Sequence, residues 1–422
     1  MEKTSENKIL NLYTFLFYLI IFEGAIRKWL LPNFNIEIII FRDFLVIYII
    51  HLGIKNKLFK TENNIERFCL LWTSLVFIWS LLQFVFNDIS YQIILIGLRN
   101  WILYIWVAIL FYRIVKNIDT IEIFLFRILI TLIPISLIVI FQYNLPVDHF
   151  LNTYLGLEDS FDKKYFVVSD NIVRATGTFA FSYSFVQFLM FLTPVIYLLL
   201  IDKFYSNKLK NIFIFGYTLC VLLSGARGIY IFISVYLFIN FFILFKKKTA
   251  KIILSIFFIF IIFLFLNIFF LEILIPIYDR FETAAVNENL MDRIIYTLVG
   301  NTVNWQNFNI LGYGIGYGSN PAKIYTLKPF ILGEFETDRI LFEGGVVGIL
   351  FILIKIFLSF FLVKRSVYIF NQFNYFLPIL FNIYYSINIL TSNILSQITA
   401  HGLSFLGLGI ALALVNKKLY VK

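Results

Sequence analysis

The sequence predicts an all-α polytopic membrane protein, and three observations predict it. The chain is 60% hydrophobic and 14% charged, where soluble domains sit near 45–50% apolar and about 25% charged. Apolar runs of about 18 residues or more recur along its whole length, and about 20 helical residues cross the hydrocarbon of a bilayer. Cations collect in every second connection between those runs.

About twelve spans are expected, at roughly 9–26, 36–54, 67–86, 91–112, 121–142, 180–201, 211–223, 228–245, 252–275, 340–363, 374–395 and 398–415. The first run follows a mixed-charge start, Met1 to Lys8, with no small-residue cleavage site behind it, and reads as a retained helix. Connections after even-numbered spans are basic: Lys55, Lys57 and Lys60; Arg113 and Lys116; Lys203, Lys208 and Lys210; Lys246, Lys247, Lys248 and Lys251; Lys364 and Arg365; Lys417, Lys418 and Lys422. With about 20 cations on that side against about 11 on the other, the richer side is expected to be cytoplasmic, with both termini on it. The net charge of +10 is therefore a topology signal and not a sign of nucleic-acid binding. Cys69 and Cys220 lie in apolar runs, so no disulfide framework is expected.

The whole chain, 1–422, reads as one integral membrane domain with two long outer segments, 143–179 and 276–339. The second is expected to carry the active site, because long polar loops in a compact protein are usually functional. Charges inside the spans, Glu23, Arg42, Asp43, Arg99, Arg127, Glu272 and Lys355, should face the bundle or the headgroups. Glu23 and Arg27 share a helix face. Arg42 and Asp43 point apart and need other partners, while Arg127 and Lys355 are candidates for snorkelling.

Arg174, Arg227, Arg280, Arg293 and Arg339 fall on the expected outer side. The guanidinium fork matches two phosphate oxygens and stays charged, so these side chains suit a lipid-linked pyrophosphate at headgroup depth. Each alone also fits a headgroup anchor. Glu334 and Glu336 are the candidate bases; two close carboxylates raise one pKa toward a useful value. They also fit the first turn of a helix, where the dipole favours acids. Gly312, Gly314, Gly316 and Gly318 follow no soluble strand and precede no βαβ unit; they shape a turn that lets a ligand or helix come close. His51, His149 and His401 lack zinc spacing.

Several segments resemble the O-antigen polymerase and O-antigen ligase superfamily of bacterial envelope enzymes. They are Arg174-Ala175-Thr176-Gly177-Thr178-Phe179 ahead of a span, the turn Ser224-Gly225-Ala226-Arg227-Gly228, and Gly312-Tyr313-Gly314-Ile315-Gly316 followed by Glu334 and Glu343-Gly344-Gly345-Val346-Val347-Gly348. Glu23-Gly24-Ala25-Ile26-Arg27-Lys28-Trp29 and Phe41-Arg42-Asp43 resemble a pattern at the start of some members. The resemblance implies a GT-C-like bundle: a metal-independent glycosyltransferase without a cofactor, acting on undecaprenyl-pyrophosphate-linked glycans in the bacterial cytoplasmic membrane. It also implies that Arg174 and Arg227 contact the donor pyrophosphate, with Arg293 and Arg339 as further candidates. Ligases of the family usually carry a histidine where this chain has Glu334, so its absence leans toward polymerisation.

The expected activity is polymerisation of lipid-linked repeat units into cell-surface polysaccharide. Arg174 and Arg227 would hold the pyrophosphate, and Glu334 or Glu336 would take the acceptor proton. Membrane lipids, a flippase and a chain-length regulator are the partners such an enzyme implies. The rivals are a ligase that moves the glycan to lipid or protein, and a transporter of lipid-linked sugars. The transporter should show inverted repeats with broken helices, and no clear repeat relates the two halves.

Overall fold

A computed structural model describes residues 2–59, 63–153, 167–169, 172–201, 207–245, 282, 289–301, 308–319, 322, 325, 335–395 and 397–420. The expected span at 252–275, Glu272, Arg280 and Glu334 lie outside the described residues. The described chain is helical apart from one short antiparallel ladder, in which β1 (Val167–Ser169) pairs with β2 (Ile172–Val173).

The first half contains α1 (Glu2–Ala25), α2 (Asn35–Lys55), α3 (Asn64–Asn87), α4 (Tyr91–Leu98), α5 (Tyr104–Ile114), α6 (Ile118–Ile130) and α7 (Leu132–Asn144). The second half contains α8 (Ser182–Ile201), α9 (Asn207–Leu223), α10 (Arg227–Phe245), α11 (Leu290–Val299), α12 (Glu336–Gly344), α13 (Val346–Phe373), α14 (Leu377–Thr391) and α15 (Ile398–Leu414). Among the described residues, six helical stretches are long and apolar enough to cross a membrane: Glu6–Leu30, Asn64–Asn87, Tyr91–Ile114, Ile118–Asn144, Ser182–Leu200 and Val346–Phe373. α2 has comparable length but carries Arg42 and Asp43 mid-helix. α14 and α15 are apolar and shorter, at 15 and 17 residues.

α15 is the central helix. Every residue from Thr399 to Leu414 is buried, as expected of a helix that is apolar all round. It packs on α1, α5, α8 and α14. Helix ends gather at two rims. At the rim bearing both termini, Lys116 Nζ lies 2.6 Å from Glu6. Arg113 pairs there with Glu66, and the Tyr375 hydroxyl donates to Glu122 at 2.7 Å. At the opposite rim Lys28 Nζ donates to Thr176 Oγ1 at 3.1 Å, and Tyr183 Oη accepts from Asn393 N at 2.6 Å.

Two expected helix boundaries are corrected, and one expected span holds an internal turn. The first helix does not stop near residue 26; it continues as a π-turn, Ile26–Leu30, which buries Lys28 against Thr176 and Gly177 instead of leaving it in an outer loop. The 91–112 span contains a second π-turn, Arg99–Leu103, between α4 and α5. The expected span at 340–363 is broken at Gly345, where φ is +55° and ψ is −124°. An L side chain rarely adopts that backbone, so α12 ends there and α13 starts in a new direction. Lys355 on α13 does not snorkel; it is buried.

Candidate functional site

The rim opposite the termini collects Glu23, Arg42, Asp43 and Arg99 from the apolar spans. Glu23 sits in the last turn of α1 and is fully buried between two arginines: its Oε1 accepts from Arg27 Nη1 at 3.0 Å and its Oε2 from Arg42 Nη1 at 2.7 Å. The shared helix face of Glu23 and Arg27 is thus as expected from their spacing. Tyr104 joins the next pair: its hydroxyl accepts from Arg42 Nε at 2.7 Å and donates to Asp43 Oδ1 at 2.8 Å. Asp43 Oδ2 lies 2.5 Å from Arg99 Nε. Arg42 and Asp43 therefore each find a further partner, share Tyr104, and lie 4.0 Å apart, Nε to Oδ1, as a long ion pair. Removing one member of such a buried pair leaves its partner's charge uncompensated.

α12 brings the late acids and arginine to the same rim. Glu336 opens the helix and its Oε1 accepts from Leu395 N, in the α14–α15 connection, at 2.5 Å. One turn on, Arg339 Nε donates to Glu343 Oε1 at 2.7 Å. Glu343 is fully buried and also accepts from Trp101 Nε1, Gly316 N and Gly318 N at 3.0, 3.1 and 3.0 Å. The glycine run is thereby tied to α12. It is tied to α3 as well, because Gln83 donates to Leu311 O and Glu343 O and accepts from Ile315 N. The run approaches α4 so closely that a Cβ on Gly316 would sit 2.4 Å from Ile93 O and 2.5 Å from Gly97 N, with φ at +87°. Gly316→Ala is accordingly expected to cost about 2–4 kcal/mol through strain and overpacking. A lowered unfolding temperature in detergent would register it, and an unchanged one would reject the packing argument.

The α14–α15 connection is the meeting point. Its Ile394 carbonyl meets His401 Nδ1 at 3.0 Å, and Ile398 O accepts from Arg42 Nη1 at 3.4 Å. The His401 ring stands edge-on to Tyr104, centroids 4.7 Å apart. Arg99, Arg42 and Arg339 all act electrostatically on that ring, and Lys355 and Arg339 on Glu336. Among the described residues, several buried atoms of this cluster have no hydrogen-bond partner: Glu336 Oε2, both Nη atoms of Arg339, Nη2 of Arg42 and of Arg99, and His401 Nε2. Native interiors pair most such atoms, so a concentration of unpaired donors and one acceptor calls for explanation. Burial pushes the Glu336 carboxyl above the usual carboxylate range, against the opposing pull of Arg339.

Comparison with protein-family models, curated protein sequences and solved structures returned no match. What the rim can do therefore rests on its own chemistry. It holds cations in excess of acids, a buried carboxylate with one free oxygen, and guanidinium groups with unpaired donors. Such a set has the chemistry to hold an anion beside a proton acceptor.

The sequence candidates fall as follows. Glu336 and Arg339 share α12, and Arg293 lies half-buried on α11, which packs on α12 through Thr337 Oγ1 to Thr297 O at 2.5 Å and Asn301 N to Asp338 Oδ1 at 2.6 Å. Arg174 is half-buried in the segment that enters α8. That segment is seated by Gln142 Oε1, which accepts from Thr176 N at 3.1 Å and Gly177 N at 2.8 Å. Arg227 is half-buried as the first residue of α10, not in the turn itself. Sequence reasoning missed Tyr104, Glu343 and His401. Glu343 was visible only as part of a motif, and His401 was discounted for lacking zinc spacing although its burial beside arginines is what distinguishes it.

Proposed function

We propose that the protein is a membrane glycosyltransferase that polymerises lipid-pyrophosphate-linked oligosaccharide repeats. In this reading the chain crosses the cytoplasmic membrane about twelve times, with both termini inside and the Glu336 rim outside. The observation that carries the reading is the pairing on α12 of Glu336, with an unpaired carboxylate oxygen, and Arg339, with two unpaired Nη atoms, both buried.

The acceptor sugar hydroxyl attacks the donor's anomeric carbon, and the bond from that carbon to the pyrophosphate oxygen breaks. Glu336 takes the hydroxyl proton, and a carboxyl with a raised pKa suits that task. Glu334 is the alternative base. Arg339, Arg174 and Arg227, with Arg293 beside α12, neutralise the charge that grows on the leaving pyrophosphate. Arg42, Arg99 and His401 support the same region from beneath.

The test is elongation of a purified lipid-linked repeat by the purified protein with no second acceptor. Arg227→Ala is expected to lower the yield of long chains by about 10²-fold or more while the protein still inserts. Normal chain length in that variant refutes its role. Transfer seen only when a different lipid or protein acceptor is added would assign a ligase, and transport without elongation a transporter.

A further inference from the structure

The rim bearing the termini holds two adjoining cavities that play no part in the chemistry above. The larger, about 820 Å³, lies among α3, α5, α13 and α15, with Phe361 and Leu412 on its apolar wall and Arg365, Lys417 and Lys418 at its mouth. The smaller, about 460 Å³, shares Tyr112, Asn416 and Lys418 with it and adds Arg113 and Lys116. Arg113 and Lys116 are paired with Glu66 and Glu6. Arg365, Lys417 and Lys418 have no acidic partner among the described residues. Arg365 instead lies over the Tyr368 ring at 5.3 Å and reaches Val415 O at 3.4 Å. Lys417 Nζ stands 5.7 Å over the same ring and 3.5 Å from its hydroxyl. Among the described residues, Arg113 Nη2 is a buried donor with no hydrogen-bond partner.

We infer that this double cavity binds one anionic glycerophospholipid of the surrounding leaflet. Its phosphate would lie between Arg365 and Lys418, and an acyl chain would run down the Phe361–Leu412 wall. Two features select that occupant. The larger cavity sets the apolar side chains of Ile65, Phe361, Leu412 and Val415 beside the cations Arg365, Lys417 and Lys418, which is the layout of a lipid site rather than of a free-ion site. Phe361 is exposed on the flank of α13, so a chain from the bilayer reaches the wall sideways. Lys364, the neighbouring cation, is exposed over Phe360, lines neither cavity and serves as a control.

The experiment is native mass spectrometry of the full-length protein in detergent with phosphatidylglycerol or phosphatidylcholine added. The wild type is expected to retain one phosphatidylglycerol about tenfold more than phosphatidylcholine, and Arg365→Gln/Lys418→Gln to lose that preference. Lys364→Gln should behave as wild type. If the double variant does not purify as a single species, the exposed single variant Lys418→Gln carries the test, with a loss of about threefold expected. Equal retention of the two lipids, or equal loss in Lys364→Gln, overturns the proposal. Displacement of the lipid by millimolar glycerol phosphate also overturns it, because it assigns the site to a soluble phosphate.

Discussion

Replacing Glu343 with alanine is expected to destabilise the protein by roughly 3–5 kcal/mol, the cost of leaving a buried partner charge uncompensated. Glu343 is fully buried, and its two oxygens serve Arg339, Trp101, Gly316 and Gly318 at once. Without it, Arg339 loses its counter-charge, and two backbone N–H groups of the glycine run lose their acceptor. Glu343→Gln keeps an acceptor oxygen but not the charge, so it should fall between the two. Unfolding temperature in detergent ranks the three proteins, and limited proteolysis should cut first within the glycine run of the alanine variant. If alanine costs under about 1 kcal/mol, the carboxylate is not the clamp that its four donors imply.

Glu336→Gln is expected to do the reverse: preserve the fold and remove the activity. A base that takes a proton in the transition state contributes about 10²–10⁴-fold, so chain elongation should fall by that much. Stability should not fall with it. The folded state holds the Glu336 proton more tightly than the unfolded chain does, because burial raises its pKa. The group's contribution to stability is thus greatest below the unfolded pKa and is lost as pH rises through the folded one. The amide removes that penalty and can still accept from Leu395 N. At neutral pH the variant should melt at or above the wild-type temperature. Wild-type elongation should rise with pH through the raised pKa, and the residual activity of the variant should lack that limb. A variant that is both inactive and markedly less stable would make Glu336 a structural group.

Much of the architecture was legible in the sequence because apolar runs and the cations between them are local signals. The runs at 211–223 and 228–245 correspond closely to α9 and α10. The departures are non-local. Lys355 reads as a snorkelling residue by position, yet it is buried and interacts electrostatically with Glu336 on α12. Trp101 and Glu343 are 242 positions apart, and nothing at either position announces the other. The break at Gly345 was masked by the apolar residues on both sides of it. Glu336 and Arg339 were named from their chemistry, and the geometry that joins them to the α14–α15 connection came only from the fold. The partnership of Arg42, Asp43 and Arg99 could be posed as a need but not solved, since Tyr104 is an ordinary apolar-run residue until its hydroxyl is placed.

The π-turn at Arg99–Leu103 holds one residue more than a regular helical turn would need over the same rise. Excising a single residue there should let α4 and α5 fuse into one uninterrupted cylinder. Everything after the junction would rotate by about 100°, carrying the Tyr104 hydroxyl away from both Arg42 and Asp43. An ancestral straight helix gaining one codon would make the same change in the opposite direction. The polar ring at the rim is therefore one insertion away from a plain membrane-crossing segment.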